Sequence, residues 1–148
     1  MHGARIVWTA EGDFAKGQYS RAHHWHFDGG AVVPASSSPS VVPLPFSDAG
    51  GVDPEEAFVA SLSSCHMLWF LDLARRAGFV AESYEDKAEG QMQKAEGRLW
   101  ITKVTLSPRV VWAVAPDRKR EQELHHAAHE ECFIANSVKT EIVINLED

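Results

Sequence analysis

The stretch DPEEAFVASLSSCHMLWFLDLARRAG, residues 53–78, constrains the fold more than any other part of the chain. Asp53 stands at a helix N-cap, Pro54 suits the first turn, Glu55 and Glu56 complement the positive end of the macrodipole, and Gly78 supplies a stop. A helix is predicted between these signals. Phe58, Leu62, Cys65, Trp69 and Leu73 recur at spacings of three and four and define one face for burial. Val59, Met67, Leu68, Phe70 and Leu71 make most of the remaining circumference apolar too. Such a helix must be covered on most sides, and 148 residues leave little chain to cover it. A second copy of the chain is the expected cover, so a homodimer is predicted.

The flanking sequence reads as strands. Alternation over residues 4–11 and 19–30 predicts a hairpin around FAKGQ, with a short third strand near GGAVVP. The following segment carries Pro39, Pro43 and Pro45 among several Ser and Gly, which excludes regular structure and predicts a long loop at the wall or rim of a site. After the helix, residues 81–94 and 97–114 read as two strands joined at AEG, with Pro108 marking an edge or a bulge. Residues 115–136 predict a second helix capped by Pro116 or Asp117, and residues 137–147 a closing strand. Strand pairs separated by two helices predict an α+β fold with mainly antiparallel sheet, and the length fits a single domain over residues 1–148.

A net charge of −7 without a Lys/Arg cluster argues against a nucleic-acid partner, whose phosphates would need neutralising. Apolar runs fall short of the roughly 20 residues of a membrane span, so no membrane partner is expected. The N-terminal MHGARIVWTAEG lacks the basic, apolar and small-residue regions of a secretory signal, which predicts a cytoplasmic protein. In that reducing compartment two cysteines suggest reactive thiols, buried thiols or metal ligands sooner than a permanent staple.

Cys65 lies beyond the first helical turn, where the macrodipole no longer lowers a thiol pKa, and taken alone it reads as a small core hydrophobe. Cys132, in the second predicted helix, changes that reading: if the two helices cross, the sulfurs come within bonding reach. A thiol pair supports two-step redox chemistry, in which one thiolate takes an oxygen to become a sulfenic acid and the second condenses with it to a disulfide. A dithiol then resets the pair by exchange. The first sulfur also needs a cation and a carboxylate to orient it, for which Arg21 and Glu55 are candidates. Each has a plainer alternative, Glu55 as a helix-terminal charge and Arg21 as a solvated strand residue. A rival constellation is His125, His129 and Cys132, which share a helix face at spacings of four and three suited to zinc, with His66 or Cys65 as a fourth ligand. In HHWH, alternation sends His23 to one strand face and His24 and His26 to the other, which suits strand filling better than chelation.

DPEEAFVASLSSC with its apolar helix, and the later HEECFIANSVKTEI, resemble the two cysteine motifs of the OsmC/Ohr family (osmotically inducible protein C and organic hydroperoxide resistance protein), in order and spacing from about residue 19 onward. The resemblance implies an intertwined α+β dimer with sheets packed around two central helices and a cofactor-free thiol peroxidase acting on organic hydroperoxides. Cys65 would be the peroxidatic nucleophile, Cys132 the resolving thiol, Glu55 the carboxylate orienting an arginine, and a lipoyl-type dithiol the reductant. The chain departs from the pattern at Phe133, where members often have proline, and at His26 before FDG, where some carry arginine. Arg21 is the arginine assigned here. A metal- or small-ligand-binding protein on the same fold is the alternative reading.

Overall fold

A computed structural model describes residues 1–146; Glu147, the predicted last residue of the closing strand, and Asp148 lie outside the described residues. The chain divides into one unit over Met1–Ala57 and a second from Phe58 onward.

The first unit holds β1 (Ala4–Val7), β2 (Gly12–Asp13), β3 (Gln18–Tyr19), β4 (His23–Phe27) and β5 (Val32–Ala35). β4 pairs antiparallel with both β1 and β5, giving the order β1-β4-β5. The predicted hairpin therefore exists as the β1–β4 pairing, but its turn is a smaller β2–β3 hairpin around a 3-10 turn at Phe14–Lys16. Gly12 makes this possible: its φ of 101° is open to glycine, and a Cβ there would run into the Gln18 carbonyl. The Ser/Pro segment is an ordered loop. The buried Ser36 hydroxyl accepts the Asp48 N–H at 2.8 Å, and the Ser47 hydroxyl donates to the Val42 carbonyl at 2.6 Å. Among the described apolar residues of this unit only Ala35 is fully buried, while Ile6, Phe14 and Val32 are exposed.

α1 (Pro54–Arg76) starts in a reciprocal cap: the Asp53 N–H donates to Glu56 Oε1 at 2.9 Å, and the Glu56 N–H donates to Asp53 Oδ1 at 2.7 Å. Its fully buried line is Leu62, His66, Phe70 and Ala74, a step of four throughout, rather than the predicted Leu62, Cys65, Trp69, Leu73 face. The apolar circumference permits either line, and the packing partners select one. By length and composition α1 could cross a membrane, contrary to the sequence expectation. Here it serves two cores instead.

The remaining elements are β6 (Val80–Asp86), β7 (Glu89–Ala95), β8 (Arg98–Leu106), β9 (Pro108–Val114), α2 (Arg118–Glu131) and β10 (Glu141–Ile144). The two strands predicted after α1 are thus four. The chain turns at Lys87–Ala88 and again at Ser107, and Asp86 ties this corner: its carboxylate accepts the Ser107 N–H at 2.6 Å and the Ser63 hydroxyl of α1 at 2.5 Å. β6 pairs with β9 in one sheet, and β7-β8-β10 form another in which β10 runs parallel to β8. Pro108 is a strand start, buried, with the register irregularities of its sheet at the far end near Ala81. The β7–β8 turn at Glu96–Gly97 has φ of 55° and 76°, the double positive φ of a tight hairpin.

Leu62 packs with Val104 and Leu106 of β8 and with Ile142 and Ile144 of β10. Phe70 and Ala74 pack with Leu124 and Ala128 of α2 and with Tyr84 and Trp112 from β6 and β9. Phe70, with no exposed surface, anchors the second core. Phe70→Ala is expected to cost about 3–5 kcal/mol in a urea unfolding titration.

Candidate functional site: a thiol pair at the α1–α2 crossing

The step of four along α1 puts His66 into the core and leaves its neighbour Cys65 half-buried beside it. α2 is capped at its start by Asp117, which accepts the Arg120 N–H at 2.8 Å, and it ends one residue before the second cysteine. Cys132 is the C-cap, with extended backbone at φ −63° and ψ 114°, so it lies just outside the helix predicted to contain it. The backbone leaves the helix direction there and turns into the 3-10 turn Ala135–Ser137.

The fold brings the two thiols near enough for Cys65 to act on the Cys132 thiol. Their environments differ. Cys132 is 1% exposed. Burial pushes its thiol pKa above the ordinary value, the nearby Cys65 pushes it further, and the Ala135 N–H donated to Sγ at 3.4 Å offsets part of this. Cys132 therefore keeps its proton at neutral pH, while Cys65 is the more exposed of the two. Trp69, one turn after Cys65, meets Phe133, next to Cys132, edge to face at 5.4 Å. Phe133 is largely exposed. A half-buried thiol, a protonated partner thiol near it and an aromatic pair alongside are what oxygen transfer from an oily peroxide followed by disulfide closure would use.

The proposed supporting residues lie in the first unit. The Arg21 guanidinium donates to the Gly17 and Tyr19 carbonyls at 3.0 and 2.6 Å and sits 3.6 Å above the Tyr19 ring. Glu55 is half-buried in the first turn of α1. On β4, His24 and His26 share a face, and His23 on the other accepts the Trp25 indole N–H at 3.1 Å, as strand alternation requires. His26 is paired across the sheet with Arg5.

The imidazoles behind the thiols are arranged otherwise than as a zinc cluster. His125 Nδ1 and His66 Nε2 share a hydrogen bond at 2.9 Å, both rings fully buried. Among the described residues no group of three or more His, Cys, Asp or Glu is placed to hold a metal ion. Desolvation lowers the pKa of His66 to about 4, with the charge of His129 adding to it, and that of His125 to about 3, with His66 and Arg118 adding to it. Both are neutral at pH 7. Sequence reasoning weighed His66 only as a fourth zinc ligand. A histidine four residues after Leu62 and four before Phe70 was the available signal that it points into the core.

The family model described as OsmC-like protein matches residues 47–147. The chain belongs to the OsmC-like family. A solved OsmC-like protein of unknown function from Vibrio cholerae is 49% identical, with 99% of each chain covered and a TM-score of 0.97. At lower identity the fold is shared by the organic hydroperoxide resistance protein OhrB of Bacillus subtilis (22% identity, 98% of each chain, TM-score 0.63). It is also shared by an organic hydroperoxide resistance protein OsmC from Legionella pneumophila (17% identity, 99% of this chain and 96% of that one, TM-score 0.68). No curated protein sequence matches the chain. Family membership accounts for the α+β architecture, with two helices and mainly antiparallel sheet, expected from the sequence.

Proposed function

We propose that this OsmC-like protein is a cytoplasmic, cofactor-free peroxidase that reduces organic hydroperoxides, alkyl or fatty-acyl, to alcohols. The observation that carries the reading is the half-buried Cys65 near the buried, protonated Cys132. In the first step the Cys65 thiolate takes the distal peroxide oxygen; the O–O bond breaks, Cys65 becomes a sulfenic acid, and the alkoxide leaves as the alcohol after gaining a proton. In the second, Cys132 displaces that oxygen as water and the Cys65–Cys132 disulfide forms. A lipoyl-type dithiol then returns both thiols and becomes a disulfide itself. Arg21 serves as the cation favouring the thiolate and Glu55 as the carboxylate orienting it. The Trp69–Phe133 pair supports selection of oily substrates over hydrogen peroxide.

The working form is a homodimer. Exposed Leu68 on α1, Phe133 beside Cys132, and the nearly coreless first unit with Ile6 and Phe14 in the open supply the apolar surface a second copy would cover. The purified protein, given dihydrolipoamide, is expected to consume cumene hydroperoxide at least about tenfold faster than hydrogen peroxide, and to elute in size-exclusion chromatography with light scattering at twice the chain mass. Equal rates with both peroxides would remove the substrate assignment. Failure to consume either would remove the peroxidase reading.

A further inference from the structure

We infer that the His66–His125 hydrogen bond is the positioning element that holds Cys65 and Cys132 at disulfide-forming range. His66 is the residue after Cys65, and His125 stands on α2, which ends one residue before Cys132. A bond between these side chains fixes the rotation and the axial register of α1 against α2 beside the sulfurs.

The pair sits where α1 passes from one core to the other, between Leu62 and Phe70. The two rings lie within 5° of parallel with centroids 5.2 Å apart, and Phe70 stacks on His125 at 3.9 Å and 12°. Their rotamers are locked by packing. His66 and His125 are 1% and 2% exposed, yet the outer nitrogens, His66 Nδ1 and His125 Nε2, are buried without a hydrogen-bond partner. Burying two imidazoles so that each satisfies only one nitrogen is a poor way to stabilise a core, and two leucines would avoid that desolvation. What an apolar pair cannot supply is direction. It tolerates sliding and rotation that a 2.9 Å hydrogen bond does not, and disulfide closure is intolerant of small displacements of sulfur.

The inference rests on the pairing of Cys65 with Cys132 proposed above, so its test uses thiol exchange and no hydroperoxide. In mixtures of oxidised and reduced dithiothreitol, the two protein thiols give two electrons and two protons to cyclic dithiothreitol and become a disulfide. The equilibrium constant reports how well the sulfurs are placed. His66→Leu, His125→Leu and the double leucine variant are expected to lower it about tenfold or more, while the double variant melts no lower than the parent at pH 7. His66→Gln places an amide N–H where Nε2 stands and His125→Asn an amide where Nδ1 stands, so each is expected to stay within about threefold of the parent.

A merely structural role would move melting temperature and equilibrium together. The inference fails if a folded double leucine variant keeps the parent equilibrium within twofold. Should the leucine variants not fold, the His66→Gln protein decides: parent-like exchange supports the inference, and a tenfold loss with unchanged circular dichroism overturns it. A parent that forms the disulfide but consumes no hydroperoxide removes the peroxidase reading and leaves the positioning pair standing. A parent that forms no such disulfide removes both.

Discussion

Cys65→Ser is expected to abolish hydroperoxide turnover, by about a thousandfold or more, because a serine hydroxyl in the same place is neither ionised at neutral pH nor able to pass through the sulfenic state. The fold should be untouched, since Cys65 is half-buried and the exchange removes one polarisable atom from the edge of the core. Cys132→Ser is expected to behave differently. The first step survives, so one equivalent of hydroperoxide is consumed per chain. The reaction then stops, leaving a Cys65 that a mass spectrum of the intact protein shows heavier by one oxygen atom, or by two where oxidant is in excess. The asymmetry follows from burial: Cys132 is closed to solvent and held protonated, Cys65 is only half-buried. If the Cys65→Ser protein consumes one equivalent of cumene hydroperoxide and stops while Cys132→Ser consumes none, the roles are reversed. Parent rates in both would mean that the nearness of the two sulfurs serves no peroxidase.

Much of this arrangement was legible in the residues. The ends of α1 could be read because caps are local chemistry: Asp53 and Glu56 bond each other's N–H across one turn, and Gly78 takes a φ of 90° just past the helix. The buried face of α1 is not legible in the sequence, for a reason equally physical. An all-round apolar helix has no internal preference among faces, and the choice of Leu62, His66, Phe70 and Ala74 is made by β8, β10, α2 and β9, which pattern along α1 cannot contain. Residues 97–114 looked like one strand because Val, Ile, Thr and Trp run through it; the break at Ser107 depends on an acceptor from Asp86, 21 positions away in sequence. Cys132 reads as part of α2 because Glu, Cys and Phe carry no stop signal, and only the bent backbone shows the helix ending there. The histidine pair was hidden for the opposite reason: eight histidines offer many pairings, and which two meet is a property of the crossing, not of either helix.

That pair also sets the acid limit of the fold. His66 and His125 are neutral in the native state with pKa values drawn down to about 4 and about 3, while in the unfolded chain both titrate near the ordinary 6.5. Above pH 6.5 neither state binds these protons and the pair leaves stability independent of pH. As pH falls below 6.5 the unfolded chain takes up two protons that the native protein refuses, so unfolding becomes easier at up to about 2.7 kcal/mol per pH unit, until the native rings charge below about pH 4. Between pH 7.5 and 5 the loss is expected to be on the order of 4 kcal/mol, a large share of the stability of an ordinary domain, in a window where most carboxylates are still ionised. Urea titrations at those two pH values measure it. The double variant His66→Leu/His125→Leu should lose most of this dependence, since it removes both the refused protons and the buried nitrogens that refuse them. A parent whose unfolding free energy changes by less than about 1 kcal/mol over the window would show that the rings take up protons in the folded state, and that the crossing of α1 and α2 opens to water near neutral pH.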